Sequence, residues 1–331
     1  MHGTFIQRAS VVLLAFVLLA APASAGNLTI DIDYSYDTNG FFTAHHQAEV
    51  LMNDAASFYE SILSNNFAAI DPATASARDD GTDTWTAMTF NPANTSQTLD
   101  INNPTINANT IVVYVGGSSF SGSELGLGGF GGYSDGYSGF GDPTTWFNDV
   151  GGRNVPGALG AANTQTAYAP WGGSISFSSA GNWYFDPNLS ANNTIPSNEY
   201  DFYSVALHEL GHVLGLGTAN VWNNDVVNGN FTGANAVASF GGNIALSPDL
   251  GHWAEGTMSD VYGNGTGTLG NATMTPALVN GQRNLVTDLD VAGLKDLGWT
   301  IVPEPAVWPV AAAIVASLHA LRRRKSTLIS L

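Results

Sequence analysis

Residues 208–212 read His208-Glu209-Leu210-Gly211-His212. On an α-helix, positions i and i+4 share a face. Two imidazoles so spaced can meet one Zn²⁺ at roughly 2.0–2.1 Å from each nitrogen. Glu209 then lies about 100° round the helix from His208, beside the ion rather than on it. From there it can take a proton from a water that the ion has acidified. Three fixed positions in five recur by chance, and a lone His on an apolar helix is commonly a satisfied core residue. Two His at ligating spacing, with Glu between them, favour a metal centre instead. The chain has no Cys, so any transition-metal site must use His, Asp and Glu.

A third ligand must come from outside the helix. Gly215 can stop the helix and turn the chain, because Gly tolerates positive φ. Of the seven His, His2 and His319 lie near the chain ends, and His45 and His46 lie far upstream. Only His252 remains downstream, with Asp225 and Asp249 as carboxylate alternatives. Thr218 offers only a neutral hydroxyl, a poor zinc ligand.

His208 to Gly215 resembles the start of the metzincin zinc-peptidase signature, whose short form carries a third His where this chain has Thr218. Residues 231–299 resemble the leishmanolysin-like members, in which an insertion separates the Gly turn from a His-Trp pair. The matching residues are Phe231, Gly233, His252-Trp253, Met274-Thr275-Pro276 and Asp290 through Trp299. The resemblance implies His252 as third ligand and a Met-containing turn at Met274, with Met258 as rival. The Tyr that follows the family's Met-turn is replaced by Thr275. Trp171 to Phe177 and Trp183 resemble the matrixin segment that forms a substrate-binding edge strand, which implies that role for Ser174, Ile175, Ser176 and Phe177. The family's calcium-binding acids are Ser174 and Ser178 here, so Ca²⁺ is without support at that place. Asp142, Asp149 and Asp186 are solvated acids that could serve another cation.

These residues need elements to hold them. Residues 28–34 alternate apolar and polar, as a half-buried strand does. Residues 44–63 have the spacing of an amphipathic helix. Strands are expected at 84–90, 110–115 and 174–178. Residues 116–141 are rich in Gly and Ser without either period and read as a long surface loop. Residues 201–214 form a helix apolar on most faces, hence central. Asp288 and Gly298 cap and stop a last helix over 288–297.

The ends read differently. Arg8, an apolar run over 11–21 and Ala23-Ser24-Ala25 predict a secretory signal peptide over 1–25. Pro303-Glu304-Pro305, a short apolar stretch and Arg322-Arg323-Arg324-Lys325 resemble the PEP-CTERM sorting signal of Gram-negative bacteria. That resemblance implies an exosortase-type processing partner, passing membrane association and delivery to the cell surface or an exopolysaccharide matrix. A plain tail anchor is the alternative. The domain between, 26–302, should be α+β: a twisted, mostly parallel sheet with an antiparallel edge strand, a backing helix, an active-site helix and an irregular C-terminal half.

Composition bounds the partners. The 331 residues carry 9 basic and 27 acidic side chains, and residues 26–305 keep four of the basic ones and all the acids, a balance of −23. Nucleic acid is excluded, since phosphate binding needs basic patches. The expected activity is zinc-dependent hydrolysis of peptide bonds. A catalytically silent matrix-binding module and a hydrolase of another bond stay open.

Overall fold

The computed structural model describes residues 27–189, 194–264 and 267–302. The expected signal peptide and sorting signal lie outside the described residues. Among those described, no helix is long and apolar enough to cross a membrane.

The chain begins with β1 (Thr29–Asp33), then the short α1 (Phe41–Ala44) and the long α2 (His46–Ile62). The helix expected over 44–63 is α2, entered through a break at His45 that separates it from α1. Next come α3 (Pro72–Asp79), the hairpin β2 (Gly81–Asn91) and β3 (Asn94–Asn102), and β4 (Thr110–Ser118). After them lie β5 (Gly126–Phe130), β6 (Gly132–Gly139), α4 (Thr144–Gly152), β7 (Gly172–Ser178), β8 (Trp183–Tyr184) and β9 (Tyr200–Asp201). The central helix is α5 (Phe202–Val213). Beyond it the elements are short: α6 (Asn220–Asn224), β10 (Val226–Val227), β11 (Asn230–Phe231), α7 (Ala234–Phe240), β12 (Ile244–Ala245), β13 (Met258–Asp260) and β14 (Leu269–Asn271). The last helix among the described residues is α8 (Asp288–Asp296).

The main sheet has the order β1-β4-β7-β5. β1, β4 and β7 are parallel, and β5 closes one side antiparallel to β7. The architecture is α+β with a mixed sheet. Two expectations fail here. Residues 116–141 are not one surface loop, because they finish β4 and supply β5 and β6. Glycine-rich segments lack a hydrophobic period, so only their partners reveal them as strands. The edge role expected of Ser174, Ile175, Ser176 and Phe177 is also corrected. β7 is hydrogen-bonded on both sides, to β4 and β5, and all seven of its residues are buried. The free edge belongs to β5.

β6 pairs instead with β2, so β3-β2-β6 form a second sheet. Alternate β2 residues Asp83, Trp85, Ala87 and Thr89 are buried, a period of two that matches the pleat.

α5 is buried on nearly every face. Asp201 caps its start by accepting from the Ser204 N–H, and is itself paired with Arg283 at 2.6 Å. The carbonyls at its end, which have no partner within the helix, accept from side chains. Tyr168 donates to Val213, Trp299 to Leu214 and Thr218 to His212, each at 2.7–2.9 Å. α2 backs the helix, with the Tyr59 hydroxyl donating to the Leu207 carbonyl at 2.9 Å.

Candidate metal centre and cleft

The helix leaves His208 and His212 on one face, as i and i+4 must. The chain then turns at Gly215 (φ 99°) and Gly217 (φ 72°). Gly217 is needed twice over: its φ is left-handed, and a methyl group there would strike the Gly251 carbonyl. Close approach of these two backbones brings the loop bearing His252 back to the helix.

Burial of the neighbouring Trp253 fixes that return. Its ring stands 4.8 Å from Trp222 and 5.4 Å from Phe231, centroid to centroid. Its indole N–H donates to Asp290 Oδ1 at 2.8 Å. The segment between Gly217 and His252 is therefore anchored by an aromatic cluster, and His252 is carried into place beside a buried Trp.

The three Nε2 atoms form a small triangle. His212 stands 3.1 Å from His208 and 3.1 Å from His252, and His208 and His252 are 3.3 Å apart. A tetrahedral ion with arms of 2.0–2.1 Å has ligand edges of about 3.3–3.4 Å, so this triangle fits zinc. Each Nδ1 is occupied elsewhere. His208 donates to the Thr273 carbonyl at 2.7 Å, His212 to the Leu216 carbonyl at 2.8 Å and His252 to Asp249 Oδ2 at 2.8 Å. These bonds fix the tautomer that turns all three Nε2 lone pairs inward. Burial pushes His208 down to about 4 and His212 well below the usual imidazole range, with the neighbouring His adding to both effects. Both rings are thus neutral, the form that ligates. Among the described residues, His208, His212 and His252 are the one group of three side chains able to hold a metal ion.

The other candidates fall elsewhere. Thr218 is engaged with the His212 carbonyl. Asp249 orients His252 and is not in the ligand triangle. Asp225 does not border the cleft, and burial, with the charge of Asp296, raises its carboxyl above the usual range. Asp142 accepts from Thr144, Asp149 from Arg78 and Asp186 from Tyr184 and the Asn188 N–H.

Met274 is buried beneath the helix. A methyl group on Gly211 would come within 2.6 Å of its sulfur. Met258 is instead 47% exposed on β13. Asp290 holds this turn, accepting from the N–H groups of Thr273, Met274 and Thr287, the Thr287 hydroxyl and Trp253. The family resemblance named Asp290, but spacing gave no sign of these five bonds.

Glu209 points from the helix towards β5. The Gly128 N–H bonds to its carboxylate, and burial nevertheless pushes the group up to about 8. A methyl group on Gly126 would collide with the Glu209 carboxylate, and one on Gly128 with the Glu209 carbonyl. Glycine at alternate positions thus lets β5 lie directly on α5.

A cleft of about 740 Å³ runs over the triad. Its lining includes residues 123–128, Thr273 and residues 275–278, together with His208, Glu209, His212 and His252.

The Peptidase_M10 family model, described as matrixin, matches residues 152–229. The matched stretch includes β7, all of α5 and the turn at Gly215 and Gly217. It supports a metzincin-like family and, with it, zinc metallopeptidase activity. No curated protein and no solved structure matches the chain.

Proposed function

We propose that the chain is a zinc-dependent endopeptidase, exported and displayed at the cell surface or released outside the cell. One observation carries the reading: three imidazoles with satisfied Nδ1 atoms form a tetrahedral face in a cleft that is also lined by a strand with a free edge. His208, His212 and His252 would hold the ion. Zinc bound there supplies Lewis-acid polarisation of a carbonyl and acidifies water. The outer edge of β5, apart from the Gly128 N–H that Glu209 holds, can pair with an extended peptide backbone beside the His triad. Glu209 accepts a proton from the attacking water and later gives it to the departing amine nitrogen. Its position between Gly126 and the helix excludes bulk water from the carboxylate.

Export rests on the sequence at 1–25, and release on the resemblance of 303–331 to an exosortase-processed tail. Mass spectrometry of surface protein should show a C-terminus near Pro305, and an intact Leu331 would mark a permanent anchor.

Elemental analysis should find one zinc per chain, with His252→Ala losing it and Thr218→Ala keeping it. Glu209→Ala should retain zinc and lose about 10²–10⁴-fold in the rate of casein cleavage. Full activity after chelation would remove the metal from the reaction.

A further inference from the structure

Charge around the cleft is one-sided. Four cationic side chains lie among the described residues, and three are engaged. Arg153 is fully buried on the carbonyls of Ala68, Asn107, Thr110 and Pro170. Arg78 is bound by Asp79, and Arg283 by Asp201. Lys295 is exposed on α8 and does not border the cleft. The cleft wall therefore presents no Lys or Arg.

It does present carboxylates. Glu124 is exposed in the segment leading into β5. Asp249, with its side chain 51% exposed, also borders the cleft, beside His252. Three neutral His would leave the charge of a bound zinc uncancelled, and a carbonyl oxygen gaining negative charge would answer it. The two rim carboxylates remain beyond it, within a domain of four basic and 26 acidic residues. Glu124 also lies close to the chemistry. It stands two residues before Gly126, which packs on the Glu209 carboxylate, so a peptide paired with β5 passes it within a few residues of the bond to be cut.

Resting on the peptidase reading above, we propose that the substrates are cationic: extended segments carrying Lys or Arg beside the scissile bond, attracted by Glu124 and Asp249. Two effects contribute at different ranges. The acidic field of the domain raises the encounter rate of positive chains, by tenfold or more in steered systems, and salt screens it. The local pair with Glu124 is exposed and contributes only about a two- to five-fold preference.

The test uses the zinc-loaded full chain and three fluorogenic peptides, identical except for Lys, Gln or Glu at two positions flanking the cleaved bond. At about 20 mM ionic strength, kcat/KM should fall from Lys to Gln to Glu, spanning about tenfold, and the span should shrink towards unity near 0.5 M salt. Glu124→Gln should lower the Lys:Gln ratio about two- to five-fold. Cleavage of all three at equal rates, or a preference for Glu, overturns the inference while leaving the peptidase reading intact. If none is cut, the peptidase reading loses its support, and anisotropy decides the charge preference alone. On Glu209→Ala protein the Lys peptide should then bind more tightly than the Glu peptide at low salt. Equal binding overturns the preference there too.

Discussion

Two buried aspartates, one under the metal centre and one in the outer sheet, meet opposite fates. Asp290 is fully buried and accepts five hydrogen bonds, three of them from backbone N–H groups of the turn beneath the His triad and the N-terminus of α8. Asp83 on β2 is 3% exposed, and neither carboxylate oxygen has a hydrogen-bond partner. Burial raises both carboxyls above their usual range, helped at Asp83 by the charge of Asp79 and opposed by Arg78. Desolvating a carboxylate is costly unless donors replace the lost water. The structure makes that replacement where a turn must be held against the His triad. In the outer sheet it does not.

The largest effect should follow Asp290→Ala. It strands three backbone donors and an indole N–H, and should cost about 3–5 kcal/mol in denaturant unfolding. Zinc affinity should fall with it, since the Thr273 carbonyl orients His208. A loss under about 1 kcal/mol would show that the turn holds itself and would erase the contrast with Asp83.

A narrower change in the same region is Asp249→Ala. It removes the partner of His252 Nδ1 without disturbing the buried turn. Zinc affinity should drop about 10- to 100-fold with little change in unfolding of the metal-free chain. Unchanged affinity would mean that burial of Trp253 alone orients His252.

Arg153→Met probes a buried charge that is well supplied with partners. Four carbonyls lose their donor, and the ring of Phe67, 5.3 Å from the guanidinium, loses its cation. Destabilisation of about 2–4 kcal/mol is expected from thermal or denaturant melts. A neutral result would place Arg153 with Asp83 as a burial without consequence.

The smallest change should be a gain. Asp83→Asn removes an unpartnered buried charge and should stabilise by about 1 kcal/mol at neutral pH. The sign with pH follows from the raised folded value. The unfolded carboxyl ionises near its ordinary value of about 3.9, and the folded one later. Native stability is lost as pH rises between the two, because the unfolded chain releases its proton first. The gain of Asp83→Asn should thus appear above about pH 4 and vanish below it. Destabilisation by Asp83→Asn would indicate that a cation neutralises the carboxylate.

Much of the metal centre was legible in one line of sequence. A helix period is fixed by its backbone, so His208, Glu209 and His212 have their relative placement wherever that helix goes. The central position of α5 also follows from side chains apolar on most faces. The last helix lies where its end signals put it, but the cap expected of Asp288 belongs to Thr287, whose hydroxyl accepts from the Asp290 N–H, while Asp288 sits in the first turn. Composition alone gave the absence of thiol ligands and the acid excess.

Other features required the tertiary structure. Thr218 and His252 differ in chemistry as ligands, but only the folding of the 217–252 segment decides which Nε2 or hydroxyl reaches the pair. That depends on the approach of Gly217 to Gly251 and on the burial of Trp222, Phe231 and Trp253, contacts between residues far apart in sequence. The expected edge strand was placed on β7, which is internal, for the same reason. Alternation marks Ser174 to Ser178 as a strand, yet whether a strand is internal depends on its neighbours. The neighbour here is a glycine-rich segment with no hydrophobic period, which is a strand because β7 pairs with it and α5 lies against it. Sequence fixes spacing along one element. Which elements meet is settled by packing among all of them.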